Sequence, residues 1–287
     1  MITEPMSHVL TAQSDSGVCV RAERAWRAAY VSRKHPFKDR PNEDALGWFV
    51  VDDETAVFLV ADGCGGMRGG ELAAQLALQH VEASIAQYRD RPDRMRFAIL
   101  DGIDEANEAI RSLRLGAACT LAAVELHRGR IRTYHVGDAK VLIMSNRGKL
   151  HHETICHSPV GFAVESGWLP EEDAMHHEER HVVSNVVGCE SMRIEVGPSM
   201  ELGARDTILI ATDGLFDNLS NAEIIDALRK GELESSLKGV AQQAHRRMHD
   251  GESFTPCKPD DLSMIAIRLA PSPAIERDHA SLENALR

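Results

Sequence analysis

The chain has 287 residues, 43% of them hydrophobic, which is enough to bury a sizeable core in one or two domains. Its formal net charge of -12 argues against broad binding to nucleic acids or anionic membranes. The six cysteines include no CxxC pair, which predicts a reducing compartment and no zinc site. No apolar run approaches membrane-spanning length and the first 17 residues lack a signal-peptide pattern, so we expect a cytoplasmic protein without a membrane partner.

The first half of the chain alternates apolar runs with two long amphipathic segments. Residues 1–17 are polar and predict a frayed tail. The expected strands cover residues 26–32, 42–51 and 56–61, the last two as a pair. Apolar residues recur at helical spacing over about residues 70–88 and 93–113, which predicts two helices packed on a sheet.

The second half begins with a predicted three-stranded meander over residues 119–126, 131–136 and 141–144. Residues 161–181 are charged and rich in histidine, which predicts an irregular flap. Further strands are expected over residues 192–197, 207–211 and 262–269, and helices over residues 221–228, opened by a capping box at Ser220, and about 235–249. Groups of strands and helices in this order predict sheets covered by helix layers.

Carboxylates stand at five of the expected strand ends. The apolar run in residues 56–66, AVFLVADGCGG, ends at Asp62 before a glycine-rich loop. The other acidic strand ends are Glu43-Asp44, Asp138, Asp213 and Asp260-Asp261. One Asp-Gly pair is equally typical of a turn, but a buried carboxylate needs a partner. Five such ends in one chain predict a shared metal site, and oxygen ligands without imidazole favour magnesium or manganese.

These motifs, in this order, resemble the type 2C, metal-dependent Ser/Thr protein phosphatases (the PPM family), and bacterial members in particular. The motifs are NED at 42–44, DGCGG at 62–66, GD at 137–138, TDG at 212–214 and DDLS at 260–263. The resemblance covers about residues 26–269. It implies an α+β fold, a four-layer α-β-β-α sandwich with two central antiparallel sheets. It also implies a phosphatase domain over residues 18–270, with polar tails at 1–17 and 271–287.

The resemblance also assigns ligands to two manganese or magnesium ions, with a third as an option. Asp62 would bridge the pair, Glu43 and the Gly63 carbonyl would complete the second ion, and Asp213 and Asp260 would hold the first. Asp138 resembles the ligand of the third, weaker ion, with Asp213 shared. The implied metal ligands are therefore Glu43, Asp62, Gly63, Asp138, Asp213 and Asp260.

Two residues are implied in catalysis. Asp44 resembles the residue that orients metal-bound water, and Arg40 resembles the phosphate-binding arginine, whose guanidinium suits bidentate contact with phosphate oxygens. The spacing from Arg40 to Glu43 differs by one residue from that in some relatives, which leaves Arg33 as an alternative. Cys64 occupies a loop position where many eukaryotic members carry a proposed proton-donating histidine. Because a thiol is a poor hydrogen-bond partner, we expect a metal-bound water or His35 to protonate the leaving oxygen instead.

The expected reaction is hydrolysis of phosphoserine and phosphothreonine in proteins. Two cations about 4 Å apart lower the pKa of a bridging water, which then attacks phosphorus in line with the leaving oxygen. The implied partners are phosphoproteins and a Ser/Thr kinase or its targets. The alternative is a catalytically silent phosphatase-like domain that binds a partner or senses a ligand. The intact carboxylates favour the enzyme.

Overall fold

The computed structural model describes residues 7–11, 21–22, 26–64, 69–203, 205–250 and 257–269. Within them, two antiparallel sheets pack face to face and helices cover both outer surfaces. The predicted α+β class and four-layer sandwich are therefore confirmed. The predicted tail at 271–287, and Gly65 and Gly66 of the glycine-rich loop, lie outside the described residues.

The described strands, in chain order, are β1 (Ser7–Thr11), β2 (Arg21–Ala22), β3 (Trp26–Arg33), β4 (Asp44–Val50), β5 (Thr55–Gly63), β6 (Cys119–His127), β7 (Arg130–Val136), β8 (Lys140–Met144), β9 (Leu150–Glu153), β10 (Glu195–Val196), β11 (Met200–Glu201), β12 (Thr207–Ala211) and β13 (Leu262–Leu269). The described α-helices are α1 (Gly70–Gln87), α2 (Met95–Ser112), α3 (Pro159–Glu165), α4 (Glu171–Ala174), α5 (Asp213–Phe216), α6 (Asn221–Leu228) and α7 (Leu233–Asp250).

The two sheets divide the strands between them. The first sheet runs β1-β4-β5-β6-β7-β10, with β11 also paired to β7, and the second runs β2-β3-β13-β12-β8-β9. Strand β5 is buried on both faces, because one face meets the second sheet and the other meets α1. Burial on both faces explains why its sequence is a continuous apolar run and not an alternating one.

Three apolar layers hold the sandwich together. Trp26 and Phe58 meet edge to face between the sheets, with ring centroids 4.8 Å apart, in a core that both sheets share. Helices α1 and α2 close the outer face of the first sheet, and α6 and α7 close that of the second. Helix α6 starts at the predicted capping box, in which Ser220 and Glu223 bond each other's backbone N–H groups.

The predicted meander of three strands is wrong in its last strand. Strands β6 and β7 pair as expected, but β8 pairs with β12 and so belongs to the second sheet. The link at residues 137–139 therefore crosses from one sheet to the other. Gly137 makes the crossing possible with a φ of 101°, a conformation that side chains disfavour. A three-residue link containing glycine looks the same in sequence whether it closes a hairpin or leaves the sheet.

The predicted flap is less irregular than expected. Residues 161–181 include most of α3 and all of α4, joined by turns. Ser158 caps α3 by accepting a hydrogen bond from the Gly161 N–H, and Pro159 occupies the first helical position. This serine and proline are the sequence signal that would have predicted the helix.

Two further segments differ from their predictions. Ser7–Thr11, inside the segment predicted as a polar tail, forms strand β1 and pairs with β4 from Ser7 opposite Phe49 to Thr11 opposite Ala45. The strand expected over residues 192–197 is reduced to Glu195–Val196. Arg193, which precedes this strand, is held by the side-chain amide of Asn185. That amide donates to the Arg193 carbonyl and accepts from the Arg193 N–H.

Gly214 sets how closely the chain after β12 can approach the chain before β13. A Cβ atom at this position would lie 1.9 Å from the carbonyl oxygen of Asp261. We expect Gly214→Ala to lower the free energy of unfolding by about 1–3 kcal/mol or more, because the backbone must move to relieve the overlap. Thermal and denaturant unfolding measure the change.

The matched control is Gly239→Ala in α7, where an added Cβ would meet nothing within 4 Å. This control should stabilise the protein by about 0.5–1 kcal/mol, because glycine is a poor residue inside a helix. Equal effects of the two substitutions would contradict the close approach at Gly214.

Candidate metal centre

The predicted ligands converge at one end of the sandwich, in the space between the two sheets. Asp44 and Asp62 are directly opposed on β4 and β5, so both side chains project from the same face. That face is the inner one. Phe58 and Val60 lie four and two residues before Asp62 on β5, so they share its face, and both lie in the inter-sheet core. Asp213 enters from the second sheet, at the end of β12.

Asp62 lies at the centre of this acidic group. Its pKa is raised well above the usual range by burial, and further by Asp213, Asp44, Asp260 and Asp138. An ionised carboxylate in such surroundings is costly unless a cation compensates it. The structure thus brings Asp62 together with the four other aspartates that the motifs predicted.

The remaining carboxylates show the same crowding. Burial, followed by repulsion from Asp213, raises the pKa of Asp138 to about 7 and that of Asp260 to about 6. Burial also raises the pKa of Glu43, although Arg40 opposes the shift. Asp213 differs: burial is the largest single influence and raises its pKa, but the charge and hydrogen bond of Lys258, together with hydrogen bonds involving Asp62 and Asp217, outweigh burial and lower its pKa.

The arrangement fits a divalent cation. Asp44 Oδ1 and Asp213 Oδ1 are buried and have no hydrogen-bond partner among the described residues. The predicted ligands offer only oxygen atoms, the preference of magnesium and manganese. Gly63 packs so tightly that a Cβ would lie 2.4 Å from the Gly70 backbone, which brings the start of α1 against the site.

A buried polar network fixes the loop that carries Glu43. The Asp261 carboxylate accepts hydrogen bonds from the His35 and Glu43 N–H groups at 2.6 and 3.0 Å. Thr212 donates from Oγ1 to Asp44 Oδ2 at 2.9 Å and so joins the two sheets. Asp261 has no role in the sequence-based prediction. Its position directly after Asp260 was the available signal, because one of two adjacent carboxylates can hold the loop while the other stays available to an ion.

Asp217 and Lys258 were also missed. The Lys258 ammonium contacts Asp213 Oδ2, Asp217 Oδ2 at 2.7 Å and Asp260 Oδ2 at 3.4 Å. Burial, followed by repulsion from Asp213, raises the pKa of Asp217 to about 6. The spacing of Asp213 and Asp217, four residues apart at a predicted strand end, was the available signal, since this spacing places both side chains on one side of a helical turn.

Arg40 lies at the site, whereas Arg33 does not face it. Arg40 Nη2 bonds Glu43 Oε2 at 2.6 Å, so the guanidinium is adjacent to a predicted ligand. Arg33 ends β3 and lies near His245 of α7, on the outer face of the second sheet, where burial, then His249 and then Arg33 lower the pKa of His245. The alternative assignment to Arg33 is therefore not supported by its position.

A second group of possible ligands lies elsewhere in the described residues. The ligand atoms of His135, His157 and Glu195 lie within 4.8 Å of one another. However, His157 Nδ1 accepts a hydrogen bond from the Gly137 N–H at 3.0 Å, which leaves its proton on Nε2, facing Glu195 at 3.2 Å. A ligating histidine donates its other N–H, so these bonds oppose metal binding and favour a structural clamp on the Gly137 link.

The geometry also bears on the two candidate proton donors. Burial raises the pKa of the Cys64 thiol to about 12, so it stays protonated. His35 has both ring nitrogens engaged: Nδ1 accepts from the Phe37 N–H at 3.0 Å, and the ring bonds the Pro259 carbonyl. Burial also lowers the pKa of His35, so a smaller fraction of it is protonated and available to donate, which weighs against its suggested role.

Comparison with known proteins places this site in a family. The model of the protein phosphatase 2C family matches residues 31–248, so the chain belongs to this family. The predicted family and the predicted enzyme class, a protein Ser/Thr phosphatase, are confirmed. Among the described residues, every helix is too short or too polar to cross a membrane.

The chain is similar to several bacterial proteins. It is 27% identical over 197 residues to the serine/threonine phosphatase Stp of Listeria welshimeri, covering 66% of this chain and 77% of that protein. It is 25% identical over 195 residues to the phosphatase PhpP of Streptococcus pneumoniae, covering 64% and 77%. The crystal structure of the PPM Ser-Thr phosphatase MsPP of Mycobacterium smegmatis, in complex with cacodylate, superposes with a TM-score of 0.69 at 25% identity, covering 85% and 98%.

The raised pKa of Asp138 gives a pH dependence of stability in metal-free protein. A carboxylate whose pKa is higher in the folded than in the unfolded state takes up a proton on folding. The stability it contributes is present below its unfolded pKa and is lost as the pH rises through about 7. We therefore expect Asp138→Asn, which is neutral at every pH, to gain stability over the wild type progressively between about pH 4 and about pH 7.

The measurement is thermal unfolding in the presence of a chelator. Asp226→Asn, at an exposed carboxylate on α6, is the matched control and should keep a constant difference from the wild type. A gap between Asp138→Asn and wild type that narrows with rising pH would contradict the electrostatic account.

Proposed function

We propose that this chain hydrolyses phosphoserine and phosphothreonine in proteins, with manganese or magnesium held by the carboxylates between the two sheets. The observation that carries the proposal is the burial of Asp62 among four other aspartates, an arrangement that a divalent cation would stabilise. When bound, the metal pair would supply a water of lowered pKa as the nucleophile that attacks phosphorus in line. The catalytic domain of the serine/threonine protein phosphatase PstP, crystallised in complex with two manganese ions, shares the fold at a TM-score of 0.66 and 23% identity, covering 86% of this chain and 99% of that domain.

The chain's own residues would divide the ligand positions by sheet. Asp62, Glu43 and the Gly63 carbonyl come from the first sheet and its flanking loop, and would hold the second ion. Asp213 and Asp260 come from the second sheet and would hold the first ion, with Asp62 shared. Asp138, on the link between the sheets, is the remaining candidate ligand. Because the ligands come from both sheets, the packing of the sandwich sets the distance between the ions.

Arg40 and Asp44 would act on the substrate side of this centre. Arg40 presents a half-exposed guanidinium beside Glu43, where it could bind two phosphate oxygens and offset the charge that develops on them. Asp44 accepts a hydrogen bond from Thr212 at Oδ2, and its Oδ1 has no hydrogen-bond partner among the described residues, so Oδ1 could accept a proton from the attacking water.

A cleft of about 200 Å³ opens beside the carboxylates and offers room for the peptide that carries the phosphate. Asp138, Asp213 and Asp217 line its inner wall, and Val164 and Met175 of the flap region line its outer wall. This cleft favours a substrate side chain that extends from the phosphorylated residue toward the flap. Phosphoproteins are thus the proposed partners.

The silent, ligand-sensing alternative gains nothing from the structure. A domain released from catalysis has no need to keep a costly cluster of buried carboxylates. Here the predicted ligands among the described residues converge, and their pKa shifts show that they are crowded.

Asp62→Asn tests the proposal. The substitution removes the central charge but little volume, so manganese-dependent hydrolysis of a phosphoserine peptide and of an aryl phosphate should fall by roughly a hundredfold or more. The metal-free variant should unfold at a higher temperature than the metal-free wild type, because repulsion with Asp213 and Asp260 is relieved.

Asp226→Asn is again the control and should keep wild-type rates, since its carboxylate lies on the exposed face of α6. A folded Asp62→Asn protein with undiminished, chelator-sensitive turnover would refute the metal assignment.

Cys64→Ala tests whether the thiol takes part in the chemistry. Its raised pKa keeps the proton on sulfur, so we expect rates within a few-fold of wild type on both the phosphopeptide and the aryl phosphate. The paired rates should be measured against pH. A loss confined to the phosphopeptide, whose leaving group needs a proton more than an aryl oxygen does, would show that Cys64 supplies one.

A further inference from the structure

Lys258 places a positive charge inside the acidic cluster. Its ammonium group carries three N–H donors, and three carboxylates surround it: Asp213, Asp217 and Asp260, the last at 3.4 Å. The side chain is only 22% exposed, so solvent screens these contacts weakly. The ammonium thus donates a hydrogen bond to Asp213 and lies within ion-pair distance of Asp217 and Asp260, and all three carboxylates could otherwise bind a metal.

The backbone of Lys258 is held as firmly as its side chain. The fully buried Asn218 accepts from the Lys258 N–H at 3.0 Å and donates to the Lys258 carbonyl at 2.8 Å. The same amide donates to the Gly214 carbonyl at 2.9 Å, which ties Lys258 to the helical turn that carries Asp213 and Asp217. From the flap region, Arg180 donates to the Cys257 carbonyl at 3.3 Å. These contacts fix where the lysine side chain starts.

Two of the carboxylates around this ammonium, Asp213 and Asp217, are also ones that a third ion would need. Asp138 lies within electrostatic reach of both Asp213 and Asp217, and the charge of Lys258 lowers its pKa against their repulsion. Without the lysine, these three aspartates would form an oxygen-rich corner suited to a divalent ion. An ammonium in contact with Asp213 and Asp217 would repel such an ion at close range.

We propose that Lys258 is a tethered cation that takes the place of a third metal ion at the corner formed by Asp138, Asp213 and Asp217, so that this phosphatase loads two ions and not three. This inference rests on the metal centre proposed above. It makes Lys258 a positioning residue, which holds Asp213 and Asp260 at the spacing that their own ion requires. Asp138 then tunes the electrostatics of the corner without holding an ion of its own.

The test is the number of manganese ions bound per chain, measured by calorimetric titration of the chelator-stripped full-length protein and by electron paramagnetic resonance of free manganese. The wild type should bind two ions. Lys258→Gln should bind one more, with an affinity for the added ion higher than in wild type by on the order of a hundredfold, because the opposing charge is removed. Lys258→Arg, which keeps the charge, should bind two.

Lys38→Gln is the matched control. It removes the same charge from a lysine that acts on Asp260 only as a secondary influence, and it should leave the count at two. The metal-free Lys258→Gln protein should also unfold at a lower temperature than metal-free wild type, since three carboxylates lose their shared counter-charge. If that variant unfolds without metal, manganese retained after gel filtration of the loaded protein gives its count.

The outcomes separate this inference from the proposed function. Two ions in wild type and two in Lys258→Gln would overturn the role of Lys258 and leave the phosphatase proposal standing. Three ions in wild type would overturn it as well, because manganese would then displace the ammonium. No manganese in wild type would refute the metal centre itself, and the inference with it.

Discussion

The structure depends on one electrostatic constraint: several carboxylates are buried where the ends of two sheets meet, and each raises the cost of ionising the others. Apolar packing on three layers supplies the framework that tolerates this cost. Within that framework, the chain neutralises part of the charge itself. Arg40 pairs with Glu43, and Lys258 pairs with Asp213, Asp217 and Asp260. What remains is centred on Asp62, which no described cation contacts closely enough to lower its pKa.

The positions of the ligands follow from strand geometry. Asp44 and Asp62 face the interior because directly opposed residues of paired strands share a face, and their apolar neighbours two residues away lie in the inter-sheet core. Close backbone contacts then set the approach of the loops, most tightly at Gly214 against Asp261. Asp261 keeps its own carboxylate for backbone N–H groups, so of two adjacent aspartates one builds the loop and the other is left for the ion.

The sequence predicted the layers well, and the candidate ligands that it named lie close together in the structure, because both depend on local patterns. Apolar runs that end in aspartate are visible without knowing their partners, and the order of five such motifs is specific. The sequence-based prediction failed where a strand pairs with a partner far away in the chain. Strand β8 has the composition of a meander strand, yet it joins the second sheet, since nothing in a three-residue link records which sheet follows. Lys258 looks like an ordinary loop lysine until folding places three carboxylates around it.

The hydrogen bond from Thr212 to Asp44 joins residues 168 positions apart in the chain and links one sheet to the other. The metal ligands proposed here span the same divide, so a bound ion would close the same long loops by coordination. A disulfide that closes a long loop stabilises a fold mainly by restricting the unfolded chain, whereas an ion that binds only the folded chain stabilises it by mass action. Unlike a disulfide, this crosslink would strengthen with the concentration of free manganese or magnesium. The strength with which the two sheets hold together would then depend on the metal concentration around the protein, and resistance to proteolysis would vary with that concentration.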